Sequence, residues 1–321
     1  MINLLYQSPW PVGGSTSYTV HLAKVLGKTA RVVRLGKRTE TQTREMGAYG
    51  VPYRIYSLQD LKKLDGHILL TASSPSIDEN VWVELGKLKR MWGVFHDPNE
   101  FKVYTHWKHL SESRVVCIRE NGLRLMHEAE FIPHPYIREN TNNSRDAKVK
   151  NLAISVARTS PVKNSQMIME ANRSLPRVLR VKLLGEPHRV WFKHFVEKKY
   201  PEYVGITGYS RDPGTAVALC ANAMLMVDLT VFINDGGGTQ YSILEAMDAG
   251  ALPIMHTHWT MYPGKARRFG PSVLSVEALV RLLKSWKTLP LAEARQRNWK
   301  YLDTVHAPDN VRAQYIDTIR G

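Results

Sequence analysis

Short apolar runs separated by stretches of helical periodicity recur along the whole chain. Residues 2–6, 30–35, 67–71, 91–96 and 114–118 read as buried strands, and 17–26 predicts a helix whose apolar side holds Val20, Leu22, Ala23 and Leu26. Near-continuous apolar strands alternating with helices predict an α/β fold, a doubly wound parallel sheet covered on both faces. A polar segment rich in turn formers, 139–146, then predicts a linker. A second series of strands follows at 151–156, 181–184, 203–207, 225–227 and 252–255, with a helical pattern opening at Gln166. The tail from about residue 298 to 321 is expected to be helical. The pattern predicts two α/β domains, 1–145 and 146–300, followed by a terminal helix, 301–321.

One stretch breaks the plain alternation. Gly236, Gly237 and Gly238 lead into Thr239-Gln240-Tyr241-Ser242-Ile243-Leu244-Glu245, and the segment closes at Gly250. Ile243, Leu244 and Met247 share one helix face. Gly250 stands where a helix ends on a residue of positive φ. A glycine loop feeding a helix N-terminus offers backbone N–H groups and the positive end of a dipole, a combination that suits phosphate. Glu245 lies about one and a half turns in, where a carboxylate can accept both hydroxyls of a ribose. The bland reading of these residues is an ordinary glycine-rich αβ connection.

A second element stands about eighty residues earlier. The strand 151–156 runs into Ala157-Arg158-Thr159-Ser160-Pro161-Val162-Lys163-Asn164. Arg158 and Lys163 flank a short turn, and two cations there can neutralise a diphosphate without a metal. The usual fate of a lone Lys or Arg is a solvated surface. The pair, ahead of the glycine loop in an alternating region, makes that reading weaker.

With these residues in hand, the chain resembles the large retaining family of GT-B nucleotide-sugar glycosyltransferases. Ala157-Arg158 through Lys163-Asn164 is similar to the family's Gly-Arg-x-x-x-x-Lys-Gly turn. From Leu244 onward, the segment Gly237 to Ile254 is similar to its Glu-Gly-x-Gly-x-x-x-Leu-Glu-Ala-Met-Ala-x-Gly-x-Pro-Val-Ile signature. Pro11-Val12-Gly13-Gly14 after the first strand resembles the family's N-terminal glycine loop, and Trp92 to Asp97 resembles the strand that ends in its His-Asp pair. Two positions depart. The first signature glutamate falls on Gly237, with Asp235 the nearest acid, and the glycine after the Arg/Lys pair is Asn164. The resemblance implies two Rossmann-like domains with an interdomain cleft. The first domain would bind the acceptor and the second the nucleotide sugar, with the last helix crossing back to the first. It implies a UDP-sugar donor held by Gly13, Gly14, Arg158, Lys163, Gly237, Gly238, Thr239, Gln240, Tyr241 and Glu245. Catalysis would then rest on His96, Arg158 and Lys163. Tyr209 is a further candidate, for packing on the nucleotide base.

Composition narrows the class. The 321 residues, 43% hydrophobic, are enough for two packed cores. No apolar run approaches the roughly 20 residues needed to span a bilayer, and the chain opens directly on a strand pattern, so no secretory signal is expected. Cys117 and Cys220 lack paired spacing and are expected to be buried thiols. These features fit a cytoplasmic protein, in the host cytoplasm if phage-encoded, without stable membrane insertion. An Asp-x-Asp motif and clustered His or Cys ligands are missing from the sequence, which favours a metal-independent transferase with no cofactor beyond its nucleotide-sugar co-substrate.

Charge bears on the acceptor. The formal net charge is +15, more than a diphosphate needs, and it favours a polyanionic partner. Basic clusters include Arg31, Arg34, Lys37, Arg38 and Arg44, and also Lys87, Lys89 and Arg90. Tyr104, His106 and Trp107 mix aromatics with bases just after His96, where a splayed base can stack; a solvated surface or a core helix are the plain alternatives. The Arg158-Thr159 turn, Phe95-His96-Asp97 and Tyr241 to Glu245 also resemble, more loosely, bacteriophage DNA α-glucosyltransferases. Charge and resemblance together point to a hydroxymethylated pyrimidine in DNA as acceptor. Two alternatives remain open: a cell-surface polysaccharide or lipid acceptor, and a non-catalytic nucleic-acid-binding protein on a degenerate transferase fold.

Overall fold

The computed structural model describes residues 1–8, 13–46, 49–139, 151–203, 215–231, 239–260 and 269–320. The chain forms two compact units, Met1–Ile137 with Thr304–Gly321, and Arg138–Asp303.

The first unit is built on an eight-stranded sheet. Its strands are β1 (Ile2–Tyr6), β2 (Ala30–Leu35), β3 (Arg44–Glu45), β4 (Pro52–Tyr56), β5 (His67–Ala72), β6 (Met91–Phe95), β7 (Val115–Cys117) and β8 (Glu130–Phe131). They lie in the order β3-β4-β2-β1-β5-β6-β7-β8, parallel throughout except for β3 against β4. Every residue of β1 is buried, as expected of a strand covered on both faces. That burial includes Asn3, whose side chain is fully satisfied. It donates to the carbonyls of Asp65 and His67 at 2.9 and 3.0 Å and accepts from Arg31 Nε at 2.6 Å.

The pattern of apolar runs misses β3, β4 and β8. The reason is plain in β4, where Pro52 and Arg54 are exposed and Tyr53, Ile55 and Tyr56 only half-buried. Such a strand alternates and shows no continuous apolar run. The helix Gly14–Leu26 starts three residues earlier than its periodicity indicates.

The second unit has a five-stranded, wholly parallel sheet in the order β10-β9-β11-β12-β13. These strands are β9 (Asn151–Ser155), β10 (Val181–Leu183), β11 (Ala223–Asp228), β12 (Leu252–His256) and β13 (Ser272–Val273). Leu225, Val227 and Ile254 are fully buried in one core with Ile168 and Met169 of helix Ser165–Arg173 and Leu279 and Leu283 of helix Val276–Lys284. Of the expected strand at 203–207 only Tyr203 is described, at the end of a 3-10 turn, Pro201–Tyr203. Most of the expected linker, from residue 140, lies outside the described residues.

The helical tail is two helices rather than one, Leu291–Val305 and Pro308–Arg320. Pro308 ends the first and starts the second, because a proline disfavours helical geometry in the residue before it yet suits a helix's first turn. Val311, Tyr315 and Ile319 recur every four residues and are buried. The Tyr315 hydroxyl meets that of Tyr18 on helix Gly14–Leu26, and His306 Nδ1 donates to the His134 carbonyl at 2.7 Å. The last helix is thereby part of the first unit. Cys117 and Cys220 are both buried free thiols. Among the described residues, no helix is long and apolar enough to cross a membrane.

Candidate active site

In a parallel α/β sheet, ligands gather at the carboxyl ends of the strands. In the second unit that edge begins where β9 ends. Ser160 leads into a 3-10 turn, Pro161–Lys163, and Asn164 takes φ 48° before helix Ser165–Arg173. Asn tolerates this left-handed conformation better than other side chains, so the departure from glycine at 164 keeps the turn's geometry. The turn is pinned from the side by the segment after β10. Thr159 donates from its N to Glu186 and from Oγ1 to Gly185, and His188 N returns a bond to the Thr159 carbonyl at 2.9 Å. Gly185 is required there, since a Cβ would collide with the Ala157 carbonyl.

Arg158 emerges from this pinned turn exposed, with no hydrogen-bond or ion-pair partner among the described residues. Lys163 points the other way, into the sheet edge. Its Nζ donates to Thr230 Oγ1 and to Gln240 Oε1, both at 2.9 Å. Behind it stands Asp228 at the end of β11, buried. Its Oδ1 accepts from the Thr230 hydroxyl and its Oδ2 from Ser242 at 2.6 Å. Burial pushes the Asp228 carboxyl up. The charge of Lys163 and the bonds from Ser242 and Thr230 outweigh that and hold it below the ordinary aspartate value. Lys163 is therefore a cation braced by an anion and two neutral acceptors.

Gln240 is the N-terminal cap position of helix Tyr241–Asp248, and Thr239 and Gln240 are buried. Ile243, Leu244, Ala246 and Met247 bury the helix against the core, and Gly250 has φ 73° just past its end. Glu245, on the same helix, is half-buried, and its carboxylate has no hydrogen-bond partner among the described residues. Burial, then the charges of Glu139 and Asp248, raise it to about 8. Gly237 and Gly238, with Tyr209 and Asp235, lie outside the described residues.

The corresponding edge of the first unit carries His96 just after β6. Its Nε2 donates to the Thr71 carbonyl at 2.8 Å, and the Tyr18 ring stands edge-on at 5.0 Å. Backbone contacts fix it further: Glu100 accepts from its N at 3.1 Å and Arg119 donates to its carbonyl at 2.9 Å. Gly13 caps helix Gly14–Leu26 with φ 117°, and Gly14 opens the helix. Gln7 after β1 and Ser73 after β5 are buried at this edge, with Nε2 and Oγ lacking a hydrogen-bond partner among the described residues. Uncompensated buried polar atoms cost stability, so this polar edge is suited to a hydroxylated ligand.

Several expected acceptor residues sit elsewhere. Trp107 is buried in a core cluster with Phe95, Val115 and Cys117, and His106 is buried against it, the two rings 4.4 Å apart. The His106 ring packs against Trp82 at 5.1 Å and Tyr104 at 5.6 Å. Burial, then His109 and His96, lowers His106 to about 3, so it carries no charge at neutral pH. A short 3-10 helix, Thr105–Lys108, turns these rings inward; no base can stack on them. Lys87, Lys89 and Arg90 precede β6, whereas His96 follows it, so they occupy the opposite end of the strand. Lys87 pairs with Glu84, and Arg90 donates to the carbonyls of Lys62, Leu64 and Gly66.

The comparison with solved structures follows this layout. HepE of Anabaena in complex with UDP is 14% identical, with a TM-score of 0.72 over 99% of each chain. An alpha-glucosyltransferase in complex with UDP and a 13-mer DNA containing an HMU base is 11% identical, with a TM-score of 0.73 over 100% of this chain and 99% of that one. The fold is GT-B. Within the GT-B frame the two units are its two parallel-sheet domains. At such identities the likeness carries the fold alone. No protein-family model matches the sequence, and no curated protein matches it.

Sequence reasoning missed Asp228, Thr230, Ser242, Gln7 and Ser73. A signal existed for each of the first two: polar residues directly ending an apolar strand run mark the carboxyl edge of a parallel sheet.

Proposed function

We propose that this chain is a retaining glycosyltransferase that moves a sugar from a UDP-sugar to a hydroxymethylated pyrimidine in DNA. One observation carries the transferase reading. A half-buried cation, Lys163, reaches the cap residue of helix Tyr241–Asp248, while Arg158, without a partner among the described residues, stands on the same turn. Breaking the sugar–phosphate bond develops negative charge on the β-phosphate. Two fixed cations and the N–H groups of a helix start stabilise such charge most when they are already in place. In this reading Arg158 and Lys163 supply that charge without a metal.

The roles divide accordingly. Glu245 accepts from the ribose hydroxyls, and Gln240 yields its hold on Lys163 as the diphosphate arrives. The acceptor hydroxyl attacks from the face the diphosphate leaves, which retains configuration, and the departing phosphate takes the acceptor proton. His96, held by its Nε2 bond to the Thr71 carbonyl, orients the acceptor or the sugar hydroxyls. The DNA acceptor is supported by the +15 charge and by the DNA held in a structure of the same fold.

The test is nucleoside mass spectrometry after hydroxymethylated DNA is incubated with a panel of nucleotide sugars. A sugar adduct on the modified base is expected, and none on unmodified DNA. An adduct on a lipid or glycan acceptor alone overturns the DNA acceptor. No hydrolysis of any donor and no transfer from it overturns the enzyme reading in favour of a binding protein.

A further inference from the structure

An open cavity of about 630 Å³ lies at the carboxyl ends of β2 and β4. Four cations line it, Arg34, Lys37, Arg38 and Arg44, against a single acid, Glu40. Glu40 is spent on Arg44 at 2.7 Å. Lys37 and Arg38 are exposed and have no ion-pair or hydrogen-bond partner among the described residues. Arg34 is held differently. Its guanidinium lies over the Tyr6 ring at 5.5 Å and the Tyr53 ring at 5.6 Å, and it donates to the Ser8 carbonyl at 3.4 Å. Rings on two sides restrict a side chain that otherwise loses much rotamer freedom on binding. The floor is set by Gly36, where a Cβ would strike Ile55. The backbone N–H groups of Gly36 and Glu40 are already bonded to Tyr56 and Ile55 at 2.9 Å, so these two amides are not offered to a ligand.

We propose that this cavity grips the phosphodiester backbone of the nucleic acid whose base is presented at His96. The inference rests on the DNA-acceptor reading above and adds where the polymer is held. Arg34 offers a planar fork matched to phosphate oxygens, and Lys37 and Arg38 offer unpaired charge. Position favours a polymer over a free anion. In the sheet order β2-β1-β5-β6, three strand spacings of about 4.8 Å separate the Arg34 strand from the His96 strand, roughly 14 Å along one edge. That is about four base steps at ~3.4 Å each. A strand lying along this edge reaches both places at once. A membrane surface is disfavoured, because among the described residues the exposed large apolar side chains of this unit, Met1, Phe101 and Val103, belong to other elements and none lines the cavity for insertion.

Fluorescence anisotropy of a short labelled duplex across a salt series tests the assignment, with wild type, Lys37→Ala/Arg38→Ala, Arg34→Lys, and Lys89→Ala as a control at the opposite sheet edge. The double variant is expected to bind at least tenfold more weakly. Its log–log salt slope should fall by roughly two, close to one for each phosphate that is no longer neutralised. Arg34→Lys keeps the charge and loses the fork, and is expected to weaken binding several-fold with little change in slope. UDP binding and donor hydrolysis should match wild type in all of them, which reports intact folding. Wild-type affinity and slope in the double variant overturn the cavity assignment. So does loss of binding by this variant to phosphatidylserine vesicles but not to DNA, which would mark a membrane site. Sugar transfer to DNA with variant-independent binding overturns the cavity alone. Variant-sensitive binding without any transfer to hydroxymethylated DNA overturns the acceptor reading and leaves the cavity standing.

Discussion

Lys163 donates from Nζ to Oε1 of Gln240 at 2.9 Å, joining segments 77 residues apart in the chain. The bond ties the turn after β9 to the start of helix Tyr241–Asp248. It places a positive charge beside a helix N-terminus, two features that attract the same ligand. Asp228 behind it keeps the ammonium aimed, so the cation is oriented before any donor arrives.

Lys163→Met is expected to reduce turnover by roughly 10²–10³, as the loss of a transition-state charge stabiliser does. It also takes a donor from Thr230 and Gln240 and the compensating charge from beside the buried Asp228, at a cost of on the order of 1–3 kcal/mol at neutral pH. The pH dependence has a definite sign. Asp228 is held below its ordinary value in the folded protein. Its contribution to stability is therefore present above the unfolded value and lost as pH falls through the folded one. Without Lys163 the folded value rises, so acid unfolding should begin at higher pH. Acid titration followed by circular dichroism reads this directly; an unchanged acid midpoint would contradict the bracing role.

Arg158→Ala separates binding from folding. The side chain is exposed and has no partner among the described residues, so thermal stability should stay within about 0.5 kcal/mol of wild type. UDP binding by calorimetry should weaken by roughly tenfold or more, the usual scale of a charge-assisted hydrogen bond. Equal UDP affinity in the variant would remove Arg158 from the diphosphate site.

Glu245 titrates near 8 in the folded protein against 4.5 as its reference. A raised acid favours the protonated folded state. The wild type is accordingly unpenalised below the reference value, loses stability as pH rises between the two, and bears the full penalty above the folded one. Glu245→Gln should melt like wild type in mild acid and above it in mild alkali, by on the order of 1–2 kcal/mol. The same substitution should weaken UDP binding and leave the weaker binding of its deoxyribose analogue nearly unchanged. Equal losses for both ligands would place the ribose away from this carboxylate.

Tyr315→Phe removes the hydroxyl that meets Tyr18 in a fully buried setting. A loss of about 1 kcal/mol is expected, visible as a lower unfolding midpoint in urea with the slope unchanged. Tyr18 is also edge-on to His96, so a small fall in turnover with donor affinity intact should accompany it.

The local signals were strong where one physical rule governs one segment. Strands buried on both faces need near-continuous apolar runs, and β1, β9 and β12 could be read from 2–6, 151–156 and 252–255 for that reason, while β2 shows only the Val32-Val33 pair of its six residues buried. The Arg158 to Lys163 turn and the cap at Gly250 were legible because cations after a strand and a glycine after a helix answer to local geometry. What these residues touch was not legible. The bond from Lys163 to Gln240 spans 77 positions, and no periodicity encodes which loop packs beside which. The same holds for Tyr104, His106 and Trp107. Their composition suits a binding surface and a core equally; Trp107 is core through its cluster with Phe95 and Val115, His106 is buried against Trp107, and Tyr104 packs half-buried beside them. Lys87, Lys89 and Arg90 looked like any basic cluster until the direction of β6 put them at the amino end of the strand. Arg34, Lys37 and Arg38 belong to the carboxyl edge by the same rule. Charge is a property of composition, but the side of a sheet on which it stands follows from strand order and direction, which arise only when the long-range pairings form.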